Sequence, residues 1–139
     1  AKHLAYKAEE SKKICVVLDG KEGKKYDDVY YPTFSPNSQH LAYIANEGNK
    51  RFVVLDGKER GRYAWAGVLL FSYLVFSPNS QHLAYIAKKG NKKFIVLDGK
   101  EEKKYDWVSY PTFSPDSQHF AYKVHEGNKD FVVLDGKEG

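Results

Sequence analysis

FSPNSQHLAYIA, residues 34–45, starts again at Phe76 and returns as FSPDSQHFAYKV from Phe113. A stretch that recurs at a period of about 20–50 residues marks an architecture built by stacking one supersecondary unit. Working outward, HLAY or HFAY opens at His3, His40, His82 and His119, at spacings of 37, 42 and 37 residues. VLDG follows in phase, ending at Gly20, Gly57, Gly99 and Gly136. Residues 40–59 and 82–101 differ at only four positions, so these two copies should fold alike.

Within one unit the pattern is short strands and turns. VYYPTFSPNSQ, residues 29–39, reads as a strand running into a Ser-Pro-Asn-Ser turn, where proline presets φ and asparagine bonds back to the chain. HLAYIA gives a second strand, and RFVVLDGKE a third that ends in Asp-Gly, a type I′ hairpin signal. KEGKKYD is polar and reads as an outer edge strand shielded by lysines. Strands two and three carry continuous apolar runs such as FVVL rather than an alternation, which implies cover on both faces. Four antiparallel strands, polar outside and doubly buried inside, describe one β-propeller blade held between two others.

PTFSPDSQHFAY followed by FVVLDGK resembles the WD40-like repeat of TolB-type propellers, also found in the propeller domains of dipeptidyl-peptidase-like serine hydrolases. The likeness runs over nearly the whole chain in four in-phase copies. It implies an all-β fold in which the FSP strand is innermost and lines a channel. The chain departs from these families in carrying too few copies to close a ring of its own.

The expected organisation is a single propeller array over 1–139: a partial blade at 1–28, blades at 29–66 and 67–107, and a partial blade at 108–139. Blade faces left uncovered would expose several large apolar side chains at ~1.5–3 kcal/mol each, comparable in sum to the stability of a domain. Another copy of the same chain is therefore the expected partner; two copies would bring together about eight blades. The absence of methionine, with Ala1 first, fits a processed, excised or engineered chain, and near-identical copies fit duplication and deliberate repetition equally.

Net charge is +4, but lysines alternate with glutamates, as in KEGKK, so nucleic acid is not an expected partner. One cysteine cannot form an internal disulfide. Nothing in the chain reads as a membrane span or a signal peptide, and the compartment is left open.

The repeat breaks once. YAWAGVLLFSYLVF, from Tyr63, replaces what is YDWVSYPTF elsewhere, and no charged residue lies between Arg62 and Lys88. One reading makes it an innermost strand with a longer lead-in loop whose bulk fills core. The other gives Trp65, Leu69, Leu70, Phe71 and Tyr73 to a protein partner, aromatic residues being common interface anchors.

No stretch reads as catalytic, and no cofactor or metal is expected. The four repeat histidines are equivalent positions in successive blades, better suited to tying a turn to its blade than to converging on zinc. Ser117, Asp116 and His119 imitate a triad on paper but share one tight turn. Asp27 and Asp106 precede the inner strand and could rim the channel, though Ala64 takes the third place. Cys15 stands where Phe52, Phe94 and Phe131 stand, so it reads as a small buried hydrophobe, and His125 as a strand end. The expected function is a non-catalytic scaffold for self-assembly and protein–protein interaction. Its alternatives are the accessory propeller of a larger hydrolase, which the resemblance suggests, and a multivalent sugar binder using tyrosines such as Tyr43 and Tyr85.

Overall fold

The structure is a computed structural model that describes residues 3–64, 68–70 and 74–139, with side chains from 3–60 and 74–139. Among the described residues every helix-or-strand element is a strand, in two compact units, Ala1–Ala66 and Gly67–Gly139. In the first unit, β1 (Ala5–Glu10), β2 (Lys13–Leu18) and β3 (Lys21–Glu22) form a three-stranded sheet. β4 (Asp28–Phe34), β5 (Leu41–Glu47), β6 (Lys50–Leu55) and β7 (Lys58–Ala64) form a four-stranded one. In the second unit the inner strand is split into β8 (Val68–Leu70) and β9 (Val75–Phe76), both pairing with β10 (Leu83–Lys89), which continues to β11 (Lys92–Leu97) and β12 (Lys100–Glu101). The last sheet is β13 (Trp107–Phe113), β14 (Phe120–Glu126), β15 (Lys129–Leu134) and a two-residue stub, β16 (Lys137–Glu138). Every pairing is antiparallel between strands consecutive in the chain, save that β8 reaches past β9 to β10.

Turn chemistry accounts for this meander. Asp56 and Gly57 both have positive φ, 51° and 81°, the type I′ geometry expected of Asp-Gly, and the other three copies match within a few degrees. Between Tyr30 and Thr33, and again between Ser109 and Thr112, the inner strand slips register. Tyr31 and Tyr110 take φ of 56° and 55° there, and the proline that follows each falls in the bulge, where its missing N–H costs no ladder bond.

The two faces of each sheet can be followed from strand to strand. In the first unit, Val16, with Ala5, Ile14 and Leu18, covers the face of the next sheet that carries Leu41, Tyr43, Ala45, Phe52 and Val54. In the second, Ala84, Ile86, Ile95 and Leu97 cover Phe120, Tyr122, Val124 and Val133. These are equivalent positions of the repeat, so one junction is used in both units. β5 and β10 are buried on both faces for five residues running, as their unbroken apolar sequences require. β14 and β15 mix buried and exposed positions, as strands with one open face do.

The outer strands are less regular than their polar sequence suggests. β3 and β12 leave the ladder after two residues and touch it again at single bridges, Ile14 to Tyr26 and Lys93 to Tyr105. The returning tyrosine is buried and meets the next sheet's phenylalanine edge-on, Tyr26 with Phe52 at 5.4 Å and Tyr105 with Phe131 at 5.8 Å.

Candidate functional site

Each repeat histidine is committed to a turn. Nδ1 of His3, His40, His82 and His119 donates to Oδ2 of Asp19, Asp56, Asp98 and Asp135, at 2.6 Å in every copy. The other carboxylate oxygen accepts the backbone N–H of the residue after the histidine, at 2.8–2.9 Å. The aspartate's own N–H returns to that residue's carbonyl, as from Asp56 to Leu41 at 2.9 Å. This latch holds the Asp-Gly hairpin against the start of the second strand. Its fourfold repetition is the mark of a structural device, because an active site needs one constellation unlike the rest.

The triad-like residues are directed apart. Asp116 accepts from Ser114 and from the Gln118 N–H, the Ser117 hydroxyl oxygen accepts the Asn79 N–H at 2.9 Å, and His119 faces Asp135. Asp27 and Asp106 staple neighbouring sheets. Lys13 Nζ and the Gly48 N–H both donate to Asp27, at 2.6 and 2.7 Å. Lys92 and the Gly127 N–H do the same for Asp106, at 2.5 and 2.8 Å, and with the N–H foremost they draw its carboxyl down to about 2. A second staple joins outer strands: Tyr26 and Lys24 donate to Glu59, and Tyr105 and Lys103 to Glu138.

Cys15 is buried, and desolvation pushes its thiol above the usual range. Tyr43 and Tyr85, read as ligand-binding tyrosines, are buried; Tyr43 lines the first unit's cleft, and burial pushes the Tyr85 hydroxyl up to about 12. Their alternating partners are apolar strand residues, so the rings turn inward. His125 is more than a strand end: it bonds Asp130 at 2.7 Å and lies across from Trp107 in the ladder. Among the described residues no group of three or more His, Cys, Asp or Glu side chains could hold a metal ion, and no helix is long and apolar enough to cross a membrane. Trp65, Phe71 and Tyr73 lie outside the described residues. For Leu69 and Leu70 the backbone alone is described, pairing with Lys88 and Ala87.

In the first unit a cleft of about 410 Å³ opens between the two sheets, with Val16, Leu18, Phe34 and Leu41 in its walls and the His3–Asp19 and His40–Asp56 latches at its rim. Each of these rings turns Nδ1 to an aspartate. In the second unit Trp107, Ser109, Tyr110, Lys123, His125 and Asp130 line a shallow recess on the last sheet.

The open sheet faces are the more informative surface. Val132 and Leu134 on the last sheet are 52% and 51% exposed, and Leu4 and Tyr6 on the first are 64% and 47% exposed. By repeat position, the last sheet's open face reads Ala121, Lys123, Val132, Leu134, and the face that the first sheet packs on its neighbour reads Ala5, Lys7, Val16, Leu18. The two agree at these four positions and differ at a fifth, where Asp130 takes the place of Ile14. On that face of the first sheet Leu4 and Tyr6 stand open, Ala8 is partly covered and Cys15 and Val17 are buried; by repeat position these five match the covered Leu41, Tyr43, Ala45, Phe52 and Val54 with a single difference. The sequence gives the uncovered blade faces to another copy and Trp65, Leu69, Leu70, Phe71 and Tyr73 to a protein partner; aligning the copies face by face names the residues of the first surface.

Among solved structures, the fold is similar to the crystal structure of TolB from Acinetobacter baumannii, with a TM-score of 0.58 and 16% identity over 98% of this chain and 40% of that one. It is also similar to oligogalacturonate lyase in complex with manganese, with a TM-score of 0.52 and 12% identity over 87% of this chain and 40% of that one. The chain thus spans two-fifths of the length of either neighbour, and at these identities what is shared is the fold, that of a TolB-like β-propeller. No protein-family model and no curated protein matches the sequence.

Proposed function

We propose that this chain is a non-catalytic β-propeller module whose task is to present blade faces to other proteins, first of all to a second copy of itself, joined head to tail. The observation that carries this reading is that the open face Ala121, Lys123, Val132, Leu134 repeats, with Asp130 in place of Ile14, the face Ala5, Lys7, Val16, Leu18, which inside the first unit covers Leu41, Tyr43 and Val54. Leu4 and Tyr6 offer the last sheet of another copy two of these side-chain types. The new junction would repeat one the chain already makes.

Leu4, Tyr6, Val132 and Leu134 each keep about half their surface in water, so covering them is worth about 1 kcal/mol apiece, near 4 kcal/mol per junction. Two copies related by a twofold axis form two such junctions and leave neither flank bare.

Light scattering across protein concentrations tests the proposal. Wild type should reach at least twice the chain mass, and Leu134→Asp, which buries a charge in the junction, should stay at the chain mass with an unchanged circular dichroism spectrum. A folded wild type that remains monomeric at the highest concentration, or a Leu134→Asp variant that still associates, overturns it.

A further inference from the structure

We infer that the cleft of the first unit binds a small carboxylic acid with an apolar body, whose carboxylate accepts the Tyr43 hydroxyl. The junctions inside the two units are built from the same repeat positions, but their outer strands differ in side chain. In the second unit the outer segment runs Lys100, Glu101, Glu102, Lys103, Lys104, Tyr105, and in the first Lys21, Glu22, Gly23, Lys24, Lys25, Tyr26. Gly23 thus stands where Glu102 stands.

The backbone is the same at both positions. The Gly23 N–H donates to the Val16 carbonyl at 2.9 Å, and the Glu102 N–H to the carbonyl of Ile95, the equivalent residue, at 2.8 Å. In the second unit the Glu102 carboxylate accepts the hydroxyl of Tyr122 at 3.2 Å. Tyr43 holds the place of Tyr122 and is only 5% exposed, and its hydroxyl has no hydrogen-bond partner among the described residues. A Cβ at Gly23 would stand 3.5 Å from that hydroxyl, so the side chain that position 23 lacks is the one that would reach it. A ligand that brings a carboxylate to this spot gains the bond that Glu102 makes in the other unit.

Space and charge in the cleft suit such a molecule. Its volume of about 410 Å³ is within the range of small-molecule sites, and Val16, Leu18 and Leu41 in its walls offer an apolar body cover from water. Lys21 lines the same cleft and has no ion-pair partner among the described residues, so its ammonium is available to an anionic head group. Asp19, Asp56 and Glu22 line it too, but the two aspartates are engaged by their latches. Around Glu102 the same repeat positions hold Asp98, Asp135 and Glu101, and a carboxylate sits there nonetheless. The acidic rim therefore does not shut out an acid whose head reaches the tyrosine.

The test is a titration of the whole chain with sodium octanoate, followed by amide NMR shifts. Saturable binding of one octanoate per chain is expected, with the largest shifts at Val16, Gly23 and Tyr43. Tyr43→Phe removes the hydroxyl and keeps the ring in the core; it should weaken binding at least about tenfold, the loss of one hydrogen bond to a charged acceptor. Gly23→Glu reproduces the second unit's arrangement and should abolish octanoate binding with an unchanged circular dichroism spectrum. 1-Octanol, which keeps the tail and lacks the carboxylate, should bind at least about tenfold more weakly than octanoate. No saturation up to about 20 mM octanoate, unchanged affinity in Tyr43→Phe, full affinity in Gly23→Glu, equal binding of octanol, or shifts centred on Val132 and Leu134 would each overturn the inference. Because the cleft lies inside one unit and neither variant alters an open sheet face, the outcome is independent of whether copies associate.

Discussion

Asp56 carries three separable tasks, and a series of substitutions at this one position weighs them. It holds φ at 51° in the hairpin, accepts the N–H of buried Leu41 at 2.9 Å, and accepts His40 at 2.6 Å. Leaving the Leu41 N–H unmet costs about 1–2 kcal/mol. The His40 contact, with both side chains about two-fifths exposed, adds at most ~1 kcal/mol once water screening is allowed for, and an ordinary side chain at this φ costs about 1 kcal/mol. Asp56→Ala loses all three, about 3–4 kcal/mol. Asp56→Gly relieves the backbone and loses both bonds, about 2–3 kcal/mol. Asp56→Asn tolerates the φ and keeps an acceptor for Leu41, so its cost is about 1 kcal/mol. At about 4 °C per kcal/mol for a chain of this size, thermal unfolding followed by circular dichroism should show Tm falling by about 4 °C for Asn, 8–12 °C for Gly and 12–16 °C for Ala. The latch argument is refuted if the alanine variant unfolds within 2 °C of wild type, or if glycine proves the more damaging of the two.

Cys15 should react with a thiol reagent at pH 8 at least about 100-fold more slowly in the native chain than in urea, since burial both hides the thiol and keeps it protonated. Equal native and unfolded rates would show that the site is not covered. The His119–Asp135 latch gives a pH dependence: the Asp135 hydrogen bond raises the histidine above its ordinary 6.5, aided by the charge of Asp116, and the His119 bond lowers Asp135 below its ordinary 3.8. A raised histidine contributes stability that is full below about pH 6.5 and lost as pH climbs through its folded value; a lowered aspartate contributes stability that is lost as pH drops below about 3.8. The Tm difference between wild type and His119→Gln should therefore be widest between about pH 4 and 6.5 and narrow toward pH 8, and a difference that grows with pH contradicts the pairing.

The parts of this molecule that were legible in the sequence are those governed by local chemistry. Asp-Gly announces its turn because few other pairs take two positive φ values in a row, and FSP announces the inner strand's end because proline and serine fix the chain there. The continuous apolar runs of β5, β6, β10 and β11 reported two-sided burial correctly. Less legible was the outer strand, where polar KEGKKYD hides a tyrosine that leaves the ladder, returns, and packs on the following sheet. Nor could composition reveal that Tyr43 and Tyr85 turn inward, since a tyrosine suits a strand on either face.

The sequence by itself determined the repeat, its strands and turns, and the latch that closes each one, because every one of these rests on residues close in the chain or held in fixed phase. Only the tertiary structure decided which copies of an identical side chain are covered. Leu4 and Leu41 are the same residue at the same repeat position, one open to water and one in the core, because a residue's burial is set by the strand and the sheet that lie against it and not by its own chemistry.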